Sequence, residues 1–171
     1  MFAHPSAAGR VSVAVLPQGT WPVPGQCSLN AADPSSGQGG GRFGDPRSGG
    51  RTHEGIDISS PTGQPVVAAF DGTIVAITPN PSASYGNQIV LSVPNVGYLQ
   101  YAHLRNPPSV LFGTGGIVPG AQVAAGTALG HVGRTGNVPS RADSHLHFEY
   151  RFLPGPFAPV ADPLSILPTC Q

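Results

Sequence analysis

Two short stretches of this chain carry side chains able to grip a metal ion. In His145-Leu146-His147 the histidines stand at positions i and i+2. On a strand such residues point the same way, about 6–7 Å apart along the backbone, so both can reach one centre. Taken alone, a pair of this kind is more commonly a solvated surface feature. The second stretch is His53-Glu54-Gly55-Ile56-Asp57-Ile58. On an extended chain His53, Gly55 and Asp57 share one face, and Ile56 and Ile58 share the other. A straight strand would hold His53 and Asp57 about 13 Å apart. Zinc bonds to nitrogen and oxygen are roughly 2.0–2.2 Å long, so a bend is expected if both meet one ion. Gly55 permits that bend and leaves the face open. Together the two stretches offer His, Asp and His. Three protein ligands and one open position describe a catalytic zinc site. Manganese, cobalt or iron would accept the same donors. A further histidine, His103, ends the apolar run Tyr101-Ala102-His103-Leu104. By itself it reads as a core or edge histidine; beside a metal it could serve as acid, base or oxyanion donor.

The elements that must position these residues read as strands. Polar and apolar residues alternate from His145 to Phe152. Leu146, Phe148, Tyr150 and Phe152 are expected to face the core, with His145, His147, Glu149 and Arg151 opposite. Glu149 is therefore a candidate to stand behind the metal ligands. Glu54 is expected to point away and lie exposed. Val66 to Phe70 and Thr73 to Ile77 are β-rich and joined by Asp71-Gly72, a strong hairpin signal. Gln88 to Val93 and Gly97 to Leu104 form a second pair around Pro94-Asn95-Val96. Arg10 to Leu16 could be a strand, and residues 21 to 42 read as a long irregular loop. No segment keeps a helical apolar period for three turns. The expectation is an all-β domain, a compact antiparallel sheet or sandwich with long Gly/Pro-rich loops.

Composition bounds the function classes. The 171 residues suit one domain. The 24 Gly and 20 Pro approach low-complexity levels, but zero formal net charge and recurring β-branched runs argue against disorder. Eight Arg balance eight acids with no Lys, so no basic stripe invites nucleic acid. No apolar run is long enough to span a membrane. The N-terminus does not read as a secretory leader, since Val11 to Leu16 is short and the first charge is Arg10. Cys27 and Cys170 lie near opposite ends with no Cys-x-x-Cys pairing; a disulfide and two free thiols are both open. His4 and His131 have no partner pattern, Asp71 reads as a turn residue, and the Gly runs lack a phosphate loop's Lys. Ser144 has no nucleophile-elbow context.

The motifs jointly resemble the lysostaphin-like, LytM-type zinc metallopeptidases. That family's pattern is His-x-x-x-Asp, then a Tyr-x-His-Leu-like element, then His-x-His. Its order matches His53/Asp57, His103 and His145/His147. Trp21-Pro22-Val23-Pro24-Gly25 and Phe43-Gly44 resemble the family's opening strand. Tyr85-Gly86-Asn87 and the glycine block from Gly126 through Gly130, Gly133 and Gly136 match as well. The resemblance covers about residues 21 to 152. It implies a peptidase domain over 21–152, flanked by an N-terminal tail (1–20) and a Pro-rich C-terminal tail (153–171) over the surface.

The resemblance further implies one zinc ion held by His53, Asp57 and His147, with His103 and His145 as catalytic, non-ligand histidines. Spacing alone does not say which member of His145/His147 binds metal. The implied substrate is the peptide part of bacterial peptidoglycan, either stem-peptide cross-links or glycine-rich bridges. The implied location is extracytoplasmic: periplasmic, secreted or wall-associated. A monomer is expected. Two segments depart from the family: Asn137 to Ser144 is long and could reshape a groove wall, and Cys27 to Gly41 reads as an insertion that could cover the site. A non-catalytic wall-binding or regulatory module of the same fold would have lost ligands, whereas all five positions are filled. A cupin-like metal domain built on His-x-His would not explain His53/Asp57.

Overall fold

The computed structural model describes residues 17–32, 39–105, 117–138, 144–155 and 157–171. Among them, regular structure is almost entirely β. The strands are β1 (Ile56–Ser59), β2 (Pro65–Val67), β3 (Gly72–Thr78), β4 (Asn87–Val93), β5 (Gly97–Leu104), β6 (Gln122–Val123), β7 (Ala128–His131), β8 (His145–Arg151) and β9 (Val160–Ala161). Single 3₁₀ turns stand at Ser48–Gly50 and Pro163–Ser165. The larger sheet runs β1-β8-β5-β4-β3-β6, with β9 also paired to β8. β2 and β7 make a separate two-stranded sheet. Every pairing is antiparallel.

β8 is the pivotal strand, flanked by β1 and β5. Its alternation is realised, but both of its faces are covered. Leu146 and Phe148 are fully buried in the core with Ile56, Ile58, Leu99 and Tyr101. Burial of such a side chain contributes roughly 1.5–3 kcal/mol each. The Tyr101 ring meets Phe148 edge-on at 5.1 Å, and its hydroxyl accepts a hydrogen bond from the Ala69 amide at 2.8 Å. Histidines, Glu149 and Arg151 fill the opposite face and are buried as well. Phe152 departs from the expectation. The strand ends at Arg151, the alternation ends with it, and Phe152 is exposed.

The pairing of β4 with β5 is as the pattern indicated, with Val93 opposite Gly97. The expected hairpin across Asp71-Gly72 does not form. β2 pairs with β7, and β3 pairs with β4 and β6. A two-residue type I′ turn needs positive φ at both central residues, and neither Asp71 nor Gly72 has it. Asp71 instead accepts a hydrogen bond from the Ala125 amide at 2.8 Å. Gly72 answers a close approach, since a Cβ there would press on Leu91 and the Ser92 carbonyl.

The opening segment is also not a strand. Residues 21–25 and 43–44 are turns and bends. Trp21 and Val23 anchor that segment in the core, and the Trp21 indole donates to the Gln26 carbonyl at 2.8 Å. The remainder of 21–42 is irregular where described, apart from an isolated bridge between Leu29 and Ile58. The expected strand over Arg10 to Leu16 and the isolated His4 lie outside the described residues. At the other end, Ile166, Leu167 and Cys170 pack against the core. Cys27 and Cys170 are joined by a disulfide.

Candidate active site

Strand register places the first two functional side chains. Asp57 on β1 stands directly opposite His147 on β8. Facing residues of an antiparallel pair project to the same side, with Cβ atoms about 4.5–5.5 Å apart. On its other flank His147 faces Ala102 of β5, a side chain small enough to leave room for the ring. His53 precedes β1, and the chain bends at Gly55 between them. That bend returns the His53 ring to the sheet: its Nε2 lies 3.0 Å from Asp57 Oδ1 and 3.0 Å from His147 Nδ1. His147 Nδ1 is 2.8 Å from Asp57 Oδ1. Gly55 is needed for more than the bend. A Cβ there would strike the Phe148 carbonyl and stand 2.8 Å from Cγ of Glu149.

These three residues offer donor atoms within 4.8 Å of one another, all on buried side chains. Ligands of a tetrahedral ion with bonds of roughly 2.0–2.2 Å sit about 3.3–3.6 Å apart. A few tenths of an ångström of outward movement would therefore admit one. The outer atoms of the set are already occupied. His53 Nδ1–H donates to the Arg42 carbonyl at 2.9 Å, which leaves a lone pair on the inward Nε2. His147 Nε2–H donates to Glu149 Oε1 at 2.8 Å, which turns Nδ1 inward. Asp57 Oδ2 accepts from Arg47 Nη2 at 3.1 Å, which leaves Oδ1 for the centre. Metal-binding imidazoles and carboxylates are typically held by such outer partners. The donor set suits zinc and contains no thiolate.

The other two histidines stand beside this centre. His145 shares the β8 face, with Nε2 3.7 Å from Asp57 Oδ1. His103 reaches it through a bulge. Between Asn87↔Leu104 and Ile89↔Tyr101, β5 carries one residue more than β4. His103 within that stretch has φ +60°, and bulges of this kind re-aim a side chain. Tyr101 and Leu104 can then both lie in the core while His103 turns to the site. His103 Nδ1–H donates to the Thr135 carbonyl at 2.8 Å. Its ring meets the His145 ring edge-on at 5.0 Å and lies 5.7 Å from that of His147. All five expected residues thus form one cluster.

Burial and charge set the protonation of this cluster. In the metal-free protein burial alone would raise the Asp57 carboxyl, but hydrogen bonding with the facing His147 and His53 rings outweighs it and holds the group well below the usual carboxylate range. Burial works against a charged His147, yet Asp57 and Glu149 on its two sides bring it up to about 9. Burial, reinforced by the neighbouring His147 and His145, lowers His103 to about 3, so it is neutral. Glu149 is lowered despite its burial by the His147 hydrogen bond and by the charges of His147 and Arg151.

Alternation in the sequence pointed to Glu149, and it indeed stands behind His147. Glu54 is exposed as expected, but it is not idle: it accepts from the Tyr85 hydroxyl at 3.1 Å. Arg47 carried no sequence signal, because its contact spans a turn outside any strand period. The Arg42 and Thr135 carbonyls were equally illegible, being backbone groups. Of the two segments expected to shape the groove, 33–38 and 139–143 lie outside the described residues. The described base of the first runs along the edge of β1: the Asn30 amide donates to the Asp57 carbonyl at 3.0 Å, and the Asp57 amide to the Gly41 carbonyl at 2.8 Å.

An antiparallel sheet that gathers a His–Asp–His donor set and two more imidazoles is the framework of a β-sheet metallopeptidase. The chain belongs to peptidase family M23, whose sequence profile it matches over residues 51–159. It is 32% identical over 121 residues to the cell division protein DipM of Caulobacter vibrioides, covering 70% of this chain and 18% of that protein. It is 35% identical over 111 residues to the DD-carboxypeptidase/endopeptidase Mpg of Neisseria meningitidis, covering 65% and 23%. The chain therefore spans about a fifth of the length of these relatives. Among solved structures it resembles the catalytic domain of lysostaphin from Staphylococcus simulans, with a TM-score of 0.59 and 28% identity over 75% of this chain and 89% of that one. The catalytic domain of the M23 protein EnpA from Enterococcus faecalis superposes with a TM-score of 0.55 and 26% identity over 71% and 85%.

Proposed function

We propose that this chain is a zinc metalloendopeptidase that hydrolyses peptide bonds of bacterial peptidoglycan. In this reading His53, Asp57 and His147 hold one zinc ion, and His103 and His145 are the catalytic imidazoles. The observation that carries it is the convergence of three donor atoms, 2.8–3.0 Å apart, from segments separated by 90 and 94 positions. Each ligand presents its inward atom while its outer atom is held by a partner.

A zinc ion held there supplies Lewis acidity toward a carbonyl and draws the pKa of a water down to about 7. The protein's own groups do the rest. His103 Nδ1–H is fixed by the Thr135 carbonyl, so Nε2, with its lone pair, is the atom placed to take a proton from the attacking water. It then returns that proton to the leaving amine. His145, edge-on to His103, donates a hydrogen bond to the carbonyl oxygen as negative charge grows there.

The substrate class is supported by relatives named for such chemistry: the Neisseria DD-carboxypeptidase/endopeptidase and a peptidoglycan DD-endopeptidase, ShyB, of Vibrio cholerae. An extracytoplasmic location is supported by the Cys27–Cys170 disulfide, which persists in oxidising compartments. Two further relatives, from Pseudomonas aeruginosa and Escherichia coli, are described as lipoproteins. The test is mass analysis of fragments released from purified walls, with and without a chelator, beside an Asp57→Ala variant. Release is expected to need both metal and Asp57. Undiminished release by Asp57→Ala would overturn the reading.

A further inference from the structure

Behind the site lies a buried polar network that hydrolysis does not consume. Arg151 is among the largest fully buried side chains of the protein, and Glu149 beside it is also fully buried. The pairing between them is one-sided. Arg151 Nε donates to Glu149 Oε2 at 2.6 Å, and Nη2 is directed at the same oxygen. Arg–carboxylate pairs frequently engage both oxygens in a parallel fork. Here both guanidinium contacts converge on Oε2, and Oε1 is left to accept from His147 Nε2–H at 2.8 Å. Gln100, opposite Glu149 on β5, does not compete for the carboxylate, because its buried amide nitrogen has no hydrogen-bond partner among the described residues.

The remaining guanidinium contacts anchor the arrangement. Nη1 donates to the Gly155 carbonyl at 3.0 Å and the Ala158 carbonyl at 3.5 Å, and Nη2 donates to the Tyr85 hydroxyl at 3.2 Å and lies 3.6 Å from Glu54 Oε2. Room for Glu149 comes from the first metal motif itself, since a Cβ at Gly55 would lie 2.8 Å from Glu149 Cγ. Glu149 is on the far side of the His147 ring from the inward Nδ1 and is fully buried, so substrate does not reach it.

We propose that Glu149, held by Arg151, is a positioning residue for His147: it fixes the proton on Nε2 and thereby assigns metal binding to Nδ1. This rests on the zinc reading above. It predicts a dependence of metal affinity on Glu149 that a purely structural ion pair would not give. An imidazole backed by a carboxylate is a better donor than one left to rotate, and loss of such a partner typically weakens metal binding about 10–100-fold.

The experiment measures zinc affinity by competition with a chromophoric chelator for the wild type, Glu149→Gln and Glu149→Ala, using the full chain. Alongside it, nitrogen-15 NMR of the histidine rings is recorded on the zinc-loaded wild type. Expected is an affinity about 10–100-fold weaker for Glu149→Ala, a smaller loss for Glu149→Gln, whose amide oxygen still accepts from Nε2–H, and a wild-type spectrum with metal on His147 Nδ1 and a slowly exchanging proton on Nε2. Equal affinity in wild type and Glu149→Ala would overturn the role of Glu149 and leave the zinc reading standing. A wild type that takes up no zinc would overturn both. Should Glu149→Ala fail to fold, the wild-type spectrum decides: metal on His147 Nε2 refutes the proposal.

Discussion

At the scale of single residues, the site is a set of imidazoles pushed in opposite directions. His103 is lowered to about 3 and His147 raised to about 9, both from an ordinary value of 6.5. The signs give a specific stability profile for the protein without metal. As pH falls below 6.5, the unfolded chain protonates His103 and the folded protein does not, so stability is lost on the acid side. The lowered carboxyls of Asp57 and Glu149 add to that loss further down. As pH rises from 6.5 to about 9, the unfolded chain gives up a proton that the folded His147 retains, so stability is lost on the alkaline side too. Urea denaturation in chelator from pH 4.5 to 9.5, a window of about five units around the His pKa, is expected to show a maximum near 6.5. A profile that rises steadily to alkaline pH would contradict the placement of His147 between two carboxylates.

At the scale of elements, the contact of the β3–β4 loop with the glycine block governs His103. The His103 amide donates to the Tyr85 carbonyl at 2.9 Å and its ring to the Thr135 carbonyl. Gly86 sits between these contacts with φ +64°, and a Cβ there would collide with Thr135. Neither the conformation nor the space suits alanine. Gly86→Ala is therefore expected to cost about 2 kcal/mol or more. The measurements are a denaturation midpoint and, for the folded fraction, the wall-release rate, which should fall beyond the loss of folded protein because His103 is displaced. Glycine spacing made this block legible in the sequence. The partner of each glycine was not, since a close approach depends on which backbone arrives from elsewhere in the chain. Asp71-Gly72 shows the same limit: the dipeptide suits a turn, yet strand pairing with β4, β6 and β7 prevailed over it.

At the scale of the whole molecule, one covalent tie joins residues 143 positions apart. It connects the segment that borders β1 to the C-terminal segment that packs on the core. Closing so long a loop restricts the unfolded chain, and disulfides of this kind contribute about 2–5 kcal/mol. The double variant Cys27→Ser/Cys170→Ser should lose stability in that range by urea denaturation. Under the zinc reading its metal affinity should change little, since no side-chain hydrogen bond described for His53, Asp57 or His147 involves either cysteine. A site that failed together with the disulfide would show that the terminal segments, beyond bracing the fold, hold the ligands in place.

The sequence by itself determined the residue types at the site, the shared face of His145, His147, Glu149 and Arg151, the bend at Gly55, the β4–β5 pairing and the β character of the whole. Those are local properties, written in spacing with a period of two and in the chemistry of side chains. Only the tertiary structure decided that Asp57 faces His147, that His103 turns inward at a left-handed bulge, that Arg47 holds the second oxygen of Asp57, and that Cys27 meets Cys170. Each of these depends on register or contact between distant segments. A one-residue slip of β1 against β8 would send Asp57 away from His147 without changing a single letter.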